Sequence, residues 1–453
     1  MKRITQVGIS GVLLAAGFTL AVELGVLTLP PEATRTFELV AQAWAFVRES
    51  PEMVMTLVLW QLVLLYTLPV SFWLYEVALY CWHRSRQRSR PRTEDEVIWP
   101  LDHVQARILT IDNQAVVQET VDALPPELTD VLVVAEVPIE IDGAEVLVVP
   151  ESFTCHARHK GRAVEYARLH HPTTKEYVLY LDEDTQATTL DGIPSNADIV
   201  QFRERPVRTG GLLPYLAEIH RIGFNIEQKA FQFQKVPFYA WGGGIAIRRT
   251  LEDRVTWDEA TIVEDSVFTW RAVLVEGATF EVVDVFFENQ APPSIEAMVT
   301  QRRRWLTGTR SKSSLLPLDY RVLYHFRDIG WAISVFGPTL WAISLLTYLG
   351  IPLLSLQIVF YPKIYFALSS LLLGLVYLWS ILGLAFYREQ PVIWLVLLVL
   401  TPIVVLVHSL GALFGLFVPA EEFAVTTKVA DFVTPDDDLE VVIEEVTETH
   451  PND

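Results

Sequence analysis

Cysteine is almost missing. Cys81 and Cys155 are the only two in 453 residues, too few for a disulfide framework and at no zinc-ligand spacing. Lysine is scarce as well. Eight of the 35 basic residues are Lys (positions 2, 160, 175, 229, 235, 312, 363 and 428), and the other 27 are Arg. Charged residues reach only 20%, against about 25% in ordinary soluble domains. What charge there is runs acidic, with 55 Asp and Glu and a net charge of −20. A nucleic-acid binder needs a basic face, so no nucleic-acid partner is expected. What is abundant is apolar: 51% hydrophobic residues and a mean hydropathy of +0.30. Together these exclude a secreted disulfide scaffold, a disordered chain and a simple cytosolic enzyme.

The apolar residues are clustered. Ile9–Leu29 and Met53–Trp82 are each long enough for a membrane span of about 20 residues. The first ends in TLPPE rather than a small-residue cleavage site, so an uncleaved anchor is expected. Arg84, Arg86, Arg88, Arg90 and Arg92 follow the second run directly. The positive-inside rule therefore places this side in the cytoplasm of the cell membrane. Three further runs, Trp331–Phe360, Ile364–Tyr387 and Val392–Val418, close the hydrophobic part. The expected divisions are residues 1–92 (two membrane helices and a basic segment), 93–325 (a cytoplasmic domain), 326–420 (a membrane bundle), 421–430 (a loop) and 431–453 (an acidic, disordered tail). That tail holds nine acids and no Lys or Arg, a composition that stays solvated.

Between the hydrophobic parts, strand-like runs alternate with helical patterns. Ala106–Ile111, Asp130–Ala135, Glu145–Val149 and Tyr177–Leu181 read as strands; Val116–Leu124 and Arg162–His170 read as helices. The alternation predicts an α/β domain with a mostly parallel sheet covered on both faces. Ligands of such sheets sit at the carboxyl ends of the strands. Asp182-Glu183-Asp184 leaves the YVLYL strand at such an end. Carboxylates at i and i+2 suit a divalent cation that grips a diphosphate, and oxygen ligands favour Mg²⁺ or Mn²⁺. The alternative is a pair of surface acids. Glu264-Asp265 lies about 80 residues on, where a carboxylate would serve as a general base or simply begin a helix. Gln301-Arg302-Arg303-Arg304-Trp305 offers cations for a leaving diphosphate, or a juxtamembrane anchor. Gly242-Gly243-Gly244 has no P-loop Lys-Ser/Thr after it, so these glycines are read as allowing tight turns and close backbone approach. His156, His159, His170 and His171 show no metal spacing and are read as non-catalytic.

The order D-x-D, E-D, Q-R-R-R-W and F-x-V-T-x-K (Phe423 to Lys428) resembles the membrane-embedded inverting glycosyltransferases of family 2, to which cellulose and hyaluronan synthases belong. Phe231-Gln232-Phe233-Gln234, Trp241–Gly244 and Trp257-Asp258 bring it closest to egghead-type β-1,4-mannosyltransferases, which extend a glycolipid using GDP-mannose. The acidic, Lys-poor composition resembles that of proteins from salt-loving archaea. The resemblance implies a Rossmann-like glycosyltransferase-A domain plus an α-helical transmembrane bundle. It also implies transfer of a hexose from GDP-mannose or a UDP-hexose to a lipid-linked or glycan acceptor with inversion; the alternative is a processive synthase that exports its polymer.

By position, the resemblance makes Asp184 the principal metal ligand with Asp182 beside it, Asp265 the base and Glu264 its neighbour. Gln301, Arg304 and Trp305 would bind the diphosphate and the acceptor end. Phe423, Val425, Thr426 and Lys428 would gate the nucleotide, and Lys160 and Arg162 would contact it. Trp241, Gly242 and Gly243 fall on the acceptor side. Asp112 and Glu136 stand where the family has different base-reading residues, so the nucleotide's base stays open. For the gate to reach a cytoplasmic site, three full crossings after Trp305 are one too many. Either one run hides two crossings or one does not cross; the expectation is that a run, with Pro402, Gly411 and Gly415 or with Gly337-Pro338 inside it, is interfacial or re-entrant.

Overall fold

The computed structural model describes residues 42, 45, 49–87, 98–223, 225–351, 362–386, 391–420 and 428–430. The apolar run Ile9–Leu29, the stretch carrying Arg88, Arg90 and Arg92, the loop residues Phe423, Val425 and Thr426, and the acidic tail lie outside the described residues.

Seven strands form one sheet: β1 (Val104–Thr110), β2 (Val131–Ala135), β3 (Glu145–Val148), β4 (Tyr177–Asp182), β5 (Ile199–Val207), β6 (Ile245–Arg248) and β7 (Phe280–Gln290). Their order is β3-β2-β1-β4-β6-β5-β7. Only β6 runs against its neighbours β4 and β5; the other pairs are parallel. The sheet is thus mixed but mostly parallel, with the form of a glycosyltransferase-A domain.

Side chains alternate across the pleat. Ile108, Val133, Leu179 and Leu181 enter one core, and Leu109, Leu132, Val134, Val178 and Tyr180 enter the other. Both faces are covered, so the strands read as continuous apolar runs rather than alternating ones. Helix α2 (Gln114–Asp122) covers the first face through Val117 and Val121. Helices α3 (Lys160–His170), α6 (Arg249–Val255) and α7 (Glu264–Val275) cover the second through Ala163, Leu251 and Phe268. Between β5 and β6 run α4 (Leu212–Ile222) and α5 (Asn225–Phe231).

Helix α1 (Pro51–Gln87) precedes the sheet. After β7 come α8 (Ile295–Lys312), α9 (Leu318–Ile333), α10 (Gly337–Tyr348), α11 (Pro362–Phe386) and α12 (Pro391–Phe417). Among the described residues, four helical stretches are long and apolar enough to cross a membrane: Thr56–His83, Leu318–Tyr348, Pro362–Ala385 and Val392–Phe417. The chain reads as an integral membrane protein. Gly337-Pro338 marks the break between α9 and α10, since Pro suits the first turn of a new helix.

Helix α12 lies along α4 and α8 rather than apart from them. Leu397 and Val404 pack with Tyr215, Leu216 and Ile219, and Gly411 lets the backbone carbonyl of Val299 come close. Arg303 donates to the last carbonyls beyond α12, at Val418 (2.6 Å) and Pro419 (2.8 Å). The end of α12 is therefore held against α8.

Helix α1 meets α9 where Gly330 abuts the ring of Pro69, and any Cβ at 330 would run into that ring. A rigid pyrrolidine cannot move aside, and such overpacking costs about 1–3 kcal/mol. Gly330→Ala is expected to lower the thermal midpoint of the purified protein by several degrees, whereas Gly374→Ala, with open space around it, leaves the midpoint in place. Equal midpoints for the two variants in a thermal-shift assay would contradict this packing.

Candidate active site

A cavity of about 700 Å³ opens at the carboxyl ends of β1, β2 and β4 and runs on toward the bundle. Ile111, Glu136, Asp182 and Asp184 line it at the sheet end, and Trp73, Trp379 and His408 at the other.

Strand β4 delivers the acidic pair. Asp182 accepts a short hydrogen bond from Lys160 Nζ at the first turn of α3. Asp184 is fully buried. Its Oδ2 accepts from the backbone N–H of Gln290 at 2.9 Å and from Lys428 Nζ, while its Oδ1 is buried with no partner. The intervening Glu183 also lines the cavity, its carboxylate accepting from Thr110 Oγ1 at 2.6 Å. Burial alone would raise the Asp182 carboxyl, but Lys160 outweighs it and holds the carboxyl below its ordinary value. Burial likewise works against the Lys160 ammonium, and Asp182 and Glu264 more than reverse that. His159 begins this helix with φ at +51°, a strained conformation of the kind found at functional sites.

Two carboxylates, one with an orphaned buried oxygen, fit a hard divalent cation. Among the described residues no group of three or more His, Cys, Asp or Glu could hold a metal. Two carboxylates suit Mg²⁺ or Mn²⁺, whose remaining positions go to water and phosphate oxygens.

Facing this pair is the start of α7. Glu264 and Asp265 occupy its first turn, with Glu264 3.8 Å from Lys160. Burial pushes the Asp265 carboxyl up to about 7, and the Glu264 charge adds to the effect while Lys160 opposes it. Gly242 stands over both groups; a Cβ there would lie 2.9 Å from Lys160 Nζ and 3.1 Å from Asp265 Oδ2. At Gly243 it would lie 2.8 Å from Asp182 Oδ2. The glycines thus serve close backbone approach, and none of the three needs a positive φ.

Sequence reasoning missed two residues that fix these loops. Gln201, buried in β5, donates to the carbonyls of Trp241 (3.0 Å) and Gly244 (2.7 Å) and accepts from the Trp241 N–H (2.9 Å). A lone amide inside the apolar run Ile199–Phe202 was its only signal. Gln290 donates to the Val429 carbonyl (2.6 Å) and accepts from the Val429 N–H (3.0 Å), which docks Lys428 at Asp184. Nothing local in the sequence marks it.

The three arginines of α8 part company. Residues about 100° apart around a helix point three ways. Arg302 is buried against Glu218 and stacks over Trp305 at 4.1 Å. Arg303 holds the end of α12. Only Arg304 lines the cavity, together with Gln301 and Trp305. Burial lowers the Arg304 guanidinium below its ordinary value, against the pull of Glu264, Asp182 and Asp265. Arg162 reaches the cavity wall but is engaged there, with Glu136 at 2.7 Å and the Phe153 carbonyl at 3.1 Å. Asp112 is exposed and does not line the cavity. Asp258 organises the loop before α3, accepting from His156 Nδ1 (2.8 Å) and the Ala157 N–H (3.0 Å).

A family model described as glycosyl transferase family group 2 matches residues 177–413, more than half of the chain. The chain is 26% identical over 248 residues to beta-1,4-mannosyltransferase bre-3 of Caenorhabditis briggsae, covering 48% of each. It is 23% identical over 209 residues to beta-1,4-mannosyltransferase egh of Drosophila melanogaster, covering 41% of this chain and 45% of that protein. The chain spans about half the length of the curated relatives it matches. Among solved structures it is similar to mannosyltransferase PcManGT from Pyrobaculum calidifontis in complex with GDP-Man and Mn²⁺, at a TM-score of 0.41 and 15% identity, covering 72% of this chain and all of that one. On the family match, with its acidic pair, α7 carboxylates and α8 arginine inside or bordering one cavity, the chain belongs to glycosyl transferase family group 2 and is distantly related to the bre-3 and egh mannosyltransferases.

Proposed function

We propose that this protein transfers a hexose from a nucleotide sugar to a lipid-linked acceptor in one inverting displacement, with Asp265 as general base. GDP-mannose is the first donor to try, because the curated relatives are mannosyltransferases. The observation that carries the reading is the Asp265 carboxyl: half-buried, lining the cavity at a helix start, and shifted to about 7. A base poised near the working pH is what proton abstraction from a hydroxyl requires.

Asp182 and Asp184 would hold the divalent cation, which when bound neutralises the diphosphate. Arg304 stands close enough to the acidic residues to add a fixed cation at the leaving group. Lys160 and Lys428 already neutralise the two aspartates, and each amine is a further donor for phosphate oxygens. Asp265 takes the acceptor's proton on the opposite side of the sugar. One displacement turns an α-linked donor into a β product. The apolar far end of the cavity suits the tail of a lipid-linked acceptor.

Asp265→Asn keeps the volume and removes the base, so transfer is expected to fall at least about 100-fold while nucleotide affinity stays within a few-fold. Undiminished transfer by the variant in a product-release assay would sink the base assignment. The pH dependence has a fixed sign. Below about 7 the Asp265 carboxyl is protonated and cannot accept the hydroxyl proton. The value of kcat/KM should therefore rise about tenfold per pH unit on the acid side and level off above it. A flat profile across this range is inconsistent with a base held at that value.

A further inference from the structure

Along one wall of the cavity runs an ionic chain that the reaction proposed above does not use. It passes from β5 through α4 to α8. Glu204 pairs with Arg221, Arg221 Nε donates to Glu218 Oε2 at 2.6 Å, and Glu218 Oε1 takes Arg302. Glu218 and Arg221 are three residues apart on α4, so they share one face. Glu204, Glu218 and Arg302 are no more than 4% exposed. Two carboxylates meet two guanidiniums, so the cluster is neutral.

Both guanidiniums also meet one ring. Arg302 lies over the indole of Trp305 at 4.1 Å from its centroid, and Arg221 at 5.6 Å, each within cation–π range. Arg302 Nη1 donates to Gln301 Oε1 at 2.9 Å as well. Gln301 and Trp305 line the cavity, whereas Arg302 stands behind them and does not. Glu218 bonds both arginines, and Arg302 touches both cavity residues.

Four buried charges are a costly way to join two helices and a strand. Well-packed apolar residues of similar volume often hold a fold equally well. What apolar packing lacks is direction. A guanidinium is planar and carries its donors in a fixed fork. Once that fork is bound to a carboxylate its plane is set, and so is the ring stacked on it. A tryptophan held only by aliphatic side chains has more than one rotamer open to it.

We infer that the chain Glu204–Arg221–Glu218–Arg302 is a positioning device, centred on Glu218, that fixes the Trp305 ring and the Gln301 amide on the cavity wall. None of its work is on substrate directly; it acts through the two residues it holds. The inference rests on the proposed transferase reading only where turnover is measured. The placement of the ring stands on the contacts alone.

The test replaces Glu218→Gln together with Arg302→Met in the full chain, reconstituted in nanodiscs. The pair of changes removes one charge of each sign and leaves Glu204 with Arg221, so the fold is expected to survive. The protein is labelled with 5-fluorotryptophan and followed by fluorine NMR. Of its 13 Trp residues, Trp305 gives the line that disappears in Trp305→Phe. That line is expected to be single and narrow in the unsubstituted protein and in Gly330→Ala, which is destabilised elsewhere. In the double variant it is expected to broaden or split. One narrow Trp305 line in the double variant, wherever it falls, means the ring stays fixed without the chain and overturns the inference. If the double variant does not fold, Arg302→Lys serves instead, since it keeps the charge and loses the planar fork; a narrow line there overturns the inference equally. Nucleoside diphosphate release from GDP-mannose with Mn²⁺ and membrane lipid extract is expected to fall about tenfold or more in the folded variant. Undiminished release beside a broadened line would show that the ring's placement does not serve the reaction, and would also overturn the inference. No release by the unsubstituted protein faults the transferase reading, and the line shape then decides the positioning role by itself.

Discussion

The constraint on which the site depends is the burial of carboxylates at the end of β4 and the start of α7. Asp182, Asp184, Glu264 and Asp265 share one cavity wall, and buried charges persist only when they are compensated. Lys160 answers Asp182, Lys428 answers Asp184, and Arg304 stands near the remainder. Four carboxylates against three cations leave one under-compensated. That one is Asp265, and burial, with the Glu264 charge added, shifts its carboxyl to about 7. In a chain with only eight lysines, two are spent here.

The surroundings serve this charge balance. The parallel strands β1, β2 and β4 bring their carboxyl ends to one edge, and β6, the reversed strand, lets the Gly242–Gly244 loop enter beside β4. Gln201 clamps that loop from β5. Gln290 at the end of β7 reaches both Asp184, through its backbone, and Val429, through its side chain. A segment beyond the last helix is thereby tied to the acidic pair. Helix α8 distributes three adjacent arginines among core, helix end and cavity, so one short motif couples the bundle to the site.

Much of this was legible in the sequence. Strands buried on both faces read as apolar runs, and β1 to β4 were placed to within two residues. Tyr177–Leu181 pointed to the acidic pair because a strand that apolar has to end at a covered edge. Strands β5, β6 and β7 were not foreseen. Strand β6 is four residues long and β5 carries Arg203 and Glu204 inside it, charges that look exposed until Asp284 and Arg221 pair with them. The residues alone did not separate Arg302, Arg303 and Arg304, since composition does not say which way a helix faces; only the resemblance singled out Arg304. The inner reach of the cavity was not foreseen, because Glu227, Arg327 and Asp328, which line it, come from two helices far apart in the sequence.

The central claim is that this cavity turns over a nucleotide sugar. The direct measurement is nucleoside diphosphate release by the purified protein with Mg²⁺ or Mn²⁺ and a membrane lipid extract, for each nucleotide sugar in turn. The account predicts lipid-dependent release from one donor, GDP-mannose first among them, that disappears on chelation of the metal. No release above background from any GDP- or UDP-linked hexose, by protein shown to be folded, would contradict it.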